Sequence, residues 1–298
     1  MRTYRLIDQE RGHHPVSLLC SVLSVSRQAY YAWTTRAPSR RELRDRELEG
    51  LIGEVYRESR ETYGAPRIAK TLRRKRGERV ATKRVARLMR SLELRGVSRG
   101  RSKRRTTIQD PHAAPAADLV RRDFTAPGPD QKWVADITYV RCDEGWLYLA
   151  VVMDVFSRKI VGWSMRSDLG AEIVSDALAM AVARRRPPVG LIHHSDRGSQ
   201  YTSVHMGRTL AELGITPSMG SRGEPHDNAA CESAIGTIKA ELVERHVFPT
   251  RDIARLRLFD YIEAFYNPHR MHSANDDLSP DEYEARYHQT LAAQASAA

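Results

Sequence analysis

From Gln131 onward the chain switches its hydrophobic period repeatedly, and the order of those switches restricts the possible fold more than any other feature. "QKWVADITYV" alternates as a half-buried strand, "WLYLAVVMDVF" is a nearly unbroken apolar strand, and "KIVGWSM" is a third. Apolar positions then recur at helical spacing in "GAEIVSDALAMAVARR", which Pro187 and Pro188 stop. The strand "VGLIHHSD", a helix after Ser203, the short strand "ITPSM", the turn-rich loop "GSRGEPHD" and the helix "NAACESAIGTIKAELV" follow. Three successive strands can form a meander, whereas the later alternation requires crossovers. The order β-β-β-α-β-α-β-α therefore predicts an α/β unit, a mixed five-stranded sheet with helices on both faces. One more helix, "RDIARLRLFDYIEAFY", ends at Asn267 and Pro268, and the end "TLAAQASAA" is predicted to fray.

The front of the chain has no strand period. In "PVSLLCSVLSVSRQAYYAW", Leu18, Leu19, Val22 and Leu23 share one helical face. Ser24 to Ser26 break it, and Tyr30, Tyr31 and Trp33 mark a second short helix. That pattern fits a helix-turn-helix and a plain helical hairpin equally. A charged helix over Arg40 to Ser59 comes next, then "YGAPRIAKTLRRKRG", opened by Pro66. "TKRVARLMRSLELRG" is a further helix, with Thr82 read as its N-cap and Gly96 as its stop. Residues 1–96 are thus predicted as an all-helical basic module of helix-turn-helix type. Residues 97–130 read as a basic, Pro- and Ala-rich linker, ordered only on a partner. In it Arg99, Arg101, Lys103, Arg104 and Arg105 place five cations in seven positions. Residues 131–289 hold the α/β unit and its C-terminal helices, and 290–298 form a flexible tail.

Charge divides the chain near the same place. Residues 1–125 carry 30 Lys and Arg against 14 Asp and Glu, net +16, while the remainder is net −5. A basic module joined to a mildly acidic one points to a polyanion partner, and nucleic acid is the commonest. Cys20, Cys142 and Cys231 lie far apart with no C-x-x-C pair, which argues against a disulfide framework and a zinc finger. The start is charged throughout, and the longest strongly apolar run, "WLYLAVVM", has eight residues, too few to span a bilayer. A soluble cytoplasmic protein without membrane contact is expected.

Three carboxylates stand out in the α/β unit. Asp136 sits mid-strand among Val134, Ile137 and Tyr139, where an ionised carboxylate needs a compensating charge. Asp196 closes a later strand, although an Asp before a Gly-containing turn is also an ordinary turn former. Glu232 lies near the start of a helix. Between Asp136 and Asp196 lie 59 residues, and between Asp196 and Glu232 lie 35. Acids on three elements can meet only at the strand ends of one sheet, where they would bind hard divalent cations. Two such ions can activate water or a hydroxyl, hold a scissile phosphate and stabilise the leaving oxygen. Lys239, two helical turns after Glu232, shares its face and could hold a DNA phosphate; an ordinary exposed lysine has the same spacing.

The segments "WVADITYV", "HHSDRGSQYTS", "SMGSRGEPHDNAACES…K" and "YNPHRMHS…SP" resemble, in that order, the signatures of a DDE transposase. The likeness is to the second-reading-frame (OrfB-type) protein of the IS-three family of bacterial insertion sequences, in the retroviral-integrase superfamily. It extends from "PVSLLCSVLSVSRQAYYAW" to "SPDEYE". It implies a ribonuclease-H-like fold, phosphodiester cleavage at element ends, strand transfer into target DNA, and Mg²⁺ or Mn²⁺ as cofactor, as a pair of ions. Asp136, Asp196 and Glu232 would be the catalytic acids and metal ligands, and Lys239 the DNA-binding residue of the same helix. A homo-oligomer on DNA, the first-frame helix-turn-helix protein as partner and a nucleoid-associated location are further implications.

Three departures from the family pattern occur. Ala234-Ile235 replaces a common aromatic pair, Met271 stands where a second Arg is usual, and Asn275-Asp276 replaces a Leu-Gly pair. They predict weaker packing of the catalytic helix and C-terminal segment, and favour a rival reading as a non-catalytic DNA-binding regulator or decayed copy. A generic ribonuclease-H-like nuclease fits less well, because it has no need of the basic front. If the basic run acts through phosphates, replacing Arg99, Arg101, Lys103, Arg104 and Arg105 with Ala weakens binding to every DNA sequence alike. It also flattens the slope of log affinity against log salt by about 0.9 for each phosphate that is no longer neutralised. Anisotropy titrations across a salt series check this; an unchanged slope rejects it.

Overall fold

The computed structural model describes residues 2–98, 116–196, 198–220 and 228–297, so the Arg99 to Arg105 run lies outside the described residues. The sheet consists of β1 (Lys132–Cys142), β2 (Gly145–Asp154), β3 (Ile160–Arg166), β4 (Ile192–Ser195) and β5 (Thr216–Met219), in the spatial order β3-β2-β1-β4-β5. The β1–β2 and β2–β3 pairs are antiparallel, and β1–β4 and β4–β5 are parallel. This is the meander followed by crossovers that the element order predicts.

Both faces of the sheet are covered, which is why β2 reads as an unbroken apolar run. On one face α7 (Glu172–Arg185) and α8 (Val204–Glu212) bury Ile173, Ala177, Leu178, Met206 and Leu210 against Trp133, Ala135 and Val152. On the other, α9 (Ala229–Glu241) and α10 (Arg251–Tyr261) bury Ala234, Ile238 and Leu258 with Val134, Leu149 and Val151. One π-helical turn, Ile262–Tyr266, prolongs α10. Ser203 caps α8, its hydroxyl accepting from the Met206 amide at 3.2 Å.

The helical front differs from its sequence reading. It contains α1 (Arg2–Glu10), α2 (Val16–Val22), α3 (Arg27–Thr35), α4 (Arg40–Glu58), α5 (Ala65–Lys75) and α6 (Thr82–Ser91). The first of these is hidden in the sequence by its charge, yet its Ile7 is buried with Cys20 and Tyr30 in a small core of α1–α3. By contrast, α4–α6 place Leu48, Ile52, Ile68, Leu72, Val85 and Leu88 in the core shared with α9 and α10. The front is therefore two packing units.

Four local expectations are corrected. Thr82 is the first helical residue of α6 and not its cap; Ala81 precedes it with no side-chain bond. That helix turns off at Glu93, in the left-handed region at φ 58°, so Gly96 does not stop it. Gly96 lies against Gly64 instead, where a Cβ would strike backbone. Residues 116–130 are ordered within the chain: Leu119 N donates to Ser218 Oγ at 2.9 Å, and Val120 is buried. The Ala-rich end, read as irregular, carries the last turns of α11 (Pro280–Ala297), through residues of high helix propensity.

The three departures from the family pattern are also well housed, contrary to the weaker packing expected. Ala234 and Ile235 are core residues. The buried Met271 donates its amide to Tyr63 Oη at 2.7 Å, and its Sδ accepts from Thr71 Oγ1 at 3.1 Å. Asn275 donates Nδ2 to the Ser157 carbonyl at 2.6 Å, although its own Oδ1 is buried without a partner. Asp276 takes φ 54°, the left-handed turn that a glycine would enter with less strain.

At Gly162 of β3 the sheet touches α7 so closely that a Cβ would meet the Ala177 carbonyl and Ala181. Gly162→Ala should therefore cost about 1–3 kcal/mol of stability by overpacking. Urea unfolding with an unchanged midpoint would contradict this contact.

Candidate active site

The parallel pairing of β1 with β4 aligns Trp133 with His193 and Val134 with His194, an offset of 60 residues. Continued two residues further, that register brings Asp196 beside Asp136, on strands about 4.8 Å apart. Asp196 is the first residue beyond β4, and its charge acts on the Asp136 carboxyl. Asp136 Oδ1 accepts from the Ile137 amide at 2.7 Å, and Asp196 Oδ1 accepts from the Gly198 amide at 2.9 Å. The second contact is the turn-forming bond that an Asp before Gly ordinarily makes.

Two contacts lay the start of α9 over β1. Asn228 Nδ2 donates to the Ala135 carbonyl at 3.0 Å, and Cys231 Sγ lies 3.9 Å from the Val134 carbonyl. Glu232 follows directly, in the first turn. Burial, Asp196 and Glu232 together push the Asp136 carboxyl up to about 8, with the Ile137 bond and Lys239 opposing. A shift with those causes means that Asp196 and Glu232 lie near enough for their charge to act on Asp136. Lys239, in the last turn of α9, holds its Nζ 4.7 Å above the Tyr139 ring. Burial lowers its proton affinity, and Asp136 partly restores it.

Among the described residues, no three His, Cys, Asp or Glu side chains close into a coordination cage. The donor set is nonetheless of the right kind for a divalent cation: hard carboxylate oxygens, with the charge of Asp196 and Glu232 raising the proton affinity of Asp136. The cysteines do not compete for this role. Cys20, Cys142 and Cys231 are all buried thiols, and burial, Asp136 and Glu232 drive the Cys231 thiol well up.

The two histidines before Asp196 are core residues. Burial lowers His193 to about 4, and His194 Nδ1 lies 2.9 Å from Ser218 Oγ. Two neighbours escape sequence reading. Asn228 looks like a helix cap but spends its amide on β1. Tyr201 is buried with its hydroxyl unpartnered, and burial, Asp136 and Asp196 raise its proton affinity. Its place in "QYTS" after the Asp turn was the available signal. An apolar groove lined by Trp163, Met165, Met180, Leu256 and Phe259 lies at the β3 edge, away from these acids.

The Integrase core domain family matches residues 126–225, a second family of the same description matches 213–280, and the HTH-like domain family matches 42–102. Sheet topology and matches together define a polynucleotidyl transferase of the integrase-core class, with a ribonuclease-H-like fold. The chain is 40% identical over 275 residues to "Insertion element IS600 uncharacterized 31 kDa protein" of Shigella sonnei, covering 92% of this chain and 100% of that one. It is 38% identical over 285 residues to "Transposase InsF for insertion sequence IS3A" of Escherichia coli (strain K12), covering 94% and 98%. Among solved structures it resembles a chain of the "CryoEM structure of simian T-cell lymphotropic virus intasome in complex with PP2A regulatory subunit B56 gamma". That match has 14% identity, TM-score 0.46, and covers 78% of this chain and 74% of that one. The chain belongs to the IS-three family of insertion-sequence transposases. Among the described residues no helix is long and apolar enough to cross a membrane.

Asp136 also sets a pH dependence. Its folded value of about 8 lies above the unfolded carboxyl value of about 3.9, so folding takes up a proton between them. Without metal, its contribution is fully present below about pH 4 and is lost as pH rises through about 8. In a chelator, Asp136→Asn should gain stability over the wild type as pH rises from 5 to 9, by a few kcal/mol at the upper end. Parallel melting curves that keep a constant separation would reject the shift.

Proposed function

We propose that this chain cuts DNA at the ends of its insertion sequence and joins the freed 3′-hydroxyl to target DNA. Asp136, Asp196 and Glu232 hold the divalent cations, Mg²⁺ or Mn²⁺ and two in number. The observation that carries the reading is the convergence of three elements: β4 runs parallel beside β1, the start of α9 is bonded to β1, and Asp136, Asp196 and Glu232 are the acids those elements bring near one another. When bound, the cations supply Lewis-acid stabilisation of the nucleophile, the scissile phosphate and the leaving oxygen in an in-line displacement.

The rest falls to the chain itself. Asp136 and Asp196 are held by the sheet register, Glu232 is carried over them by α9, and Lys239 binds a phosphate of the DNA end. Because Asp136 holds a proton near neutrality, metal affinity weakens as pH falls below about 8. The basic front, including the Arg99 to Arg105 run, supplies affinity for the DNA backbone. The protein works as a homo-oligomer on bacterial DNA, with the first-frame helix-turn-helix protein aiding end recognition. The rival reading as a decayed copy draws no support from Ala234, Ile235 or Met271, which are packed in the core.

Labelled element-end DNA with Mg²⁺ or Mn²⁺ tests this: the wild type should leave a nick bearing a 3′-hydroxyl. Asp136→Asn, Asp196→Asn and Glu232→Gln should each slow cleavage by about 10³ or more, a loss of about 4 kcal/mol, while DNA affinity stays close to wild type. Normal cutting by any of them rejects that acid. Lys239→Ala should cut ~10–100-fold more slowly at saturating DNA with affinity little changed, since its task is placement. Lost affinity with an undiminished saturated rate rejects that role.

A further inference from the structure

The helix that carries Glu232 and Lys239 is held on its core side by Ala230, Cys231, Ala234, Ile235 and Ile238, which fill space without fixing direction. Its first end has no side-chain cap, and Asn228 spends its amide on the Ala135 carbonyl of β1. Its last residue, Glu241, is gripped from several sides. Arg270 donates Nη2 to Glu241 Oε1 at 2.6 Å and Nε to Oε2 at 2.9 Å, while Tyr261 Oη donates to Oε2 at 2.7 Å. Arg67, on α5, reaches Oε1 at 3.4 Å. Both members of the main pair are buried, Glu241 at 6% exposure and Arg270 at 2%.

A buried ion pair contributes little net stability, because desolvation offsets the attraction and an apolar pair of the same volume often does as well. What a two-pronged Arg–carboxylate contact adds is direction. Glu241 follows Glu232 by nine residues, about 900° of helix, so it lies on the opposite side of α9. Lys239, seven residues on, shares the Glu232 face. The grip is therefore a back anchor: rotating α9 by about 20° would carry a carboxylate some 6 Å from the axis through about 2 Å. Displacements of about 1 Å can cost ~10² in rate.

We infer that Glu241 and Arg270 are positioning residues for strand cleavage, setting the rotation and axial height of α9 so that Glu232 and Lys239 meet Asp136 and the DNA end. This rests on the acid assignment proposed above. Arg67 brings the α4–α6 unit to the same anchor, so docking of that unit and placement of α9 share one contact.

The test uses the full-length chain and two variants. The double variant Glu241→Leu/Arg270→Met replaces the pair with apolar volume, and Arg270→Lys keeps the charge but loses the fork. The double variant should melt at or above the wild-type temperature and bind end DNA equally well. It should cleave ~100-fold more slowly at saturating DNA. Its Mn²⁺ midpoint, read by electron paramagnetic resonance without DNA, should rise about tenfold, a loss of one decade in affinity. Arg270→Lys should show the same losses in smaller measure, and it decides the matter if the double variant does not fold. A stable double variant, or an Arg270→Lys variant, with wild-type rate and Mn²⁺ midpoint overturns the inference. Asp136→Asn, run alongside, separates the two claims. If it cuts normally the acid assignment has failed; if it is dead while the paired variants act as wild type, only the positioning role has.

Discussion

The parallel pairing of β1 with β4 is the constraint on which the rest of the molecule depends. It sets Val134 of β1 beside His194 of β4, so that Asp136 and Asp196, each two residues further on, leave the paired region at the same level of the sheet. A slip of one residue would turn every β4 side chain to the other face, exchanging the packing environments of His193 and His194. Burial on both sides of β1 and β4 makes such a slip costly, so the core secures the register and the register secures the acids. The like charges gathered there are destabilising in themselves, as the raised Asp136 proton affinity indicates.

The C-terminal segment ties the layers together. Asn267 bonds the Ile160 backbone twice, accepting from N at 3.0 Å and donating to O at 2.9 Å, and so fastens the segment to β3. Asn275 reaches the Ser157 carbonyl after β2. Arg185 at the end of α7 donates to both Asp130 and Glu284, joining the lead-in to β1 with α11. The motif "YNPHRMHS" thus acts structurally around the sheet and at the back of α9.

That segment is also where the helical front docks. Tyr63 accepts from the Met271 amide, Lys70 pairs with Asp277, and Arg74 with Glu282. The α4–α6 unit, which lies within the HTH-like match, therefore shares a core with the catalytic layer, whereas α1–α3 close a core of their own. Most of these ion pairs are partly exposed and contribute little individually. The apolar residues beneath them carry the packing.

Read alone, the sequence determined the succession of strands and helices along the chain and a mixed sheet covered by helices, and it singled out Asp136, Asp196 and Glu232 as candidate acids, because hydrophobic period and motif spacing are local properties of a chain. It also placed Lys239 on the Glu232 face, since seven residues close two helical turns. It could not disclose that α1 buries Ile7, that Asn228 bonds β1 in place of its own helix, or that Arg270 meets Glu241. Nor could it separate the front into two packing units. Those outcomes depend on which surfaces oppose each other across as many as 208 residues of chain, as with Tyr63 and Met271. Periodicity tells a residue which side to bury; only packing between distant elements decides against what.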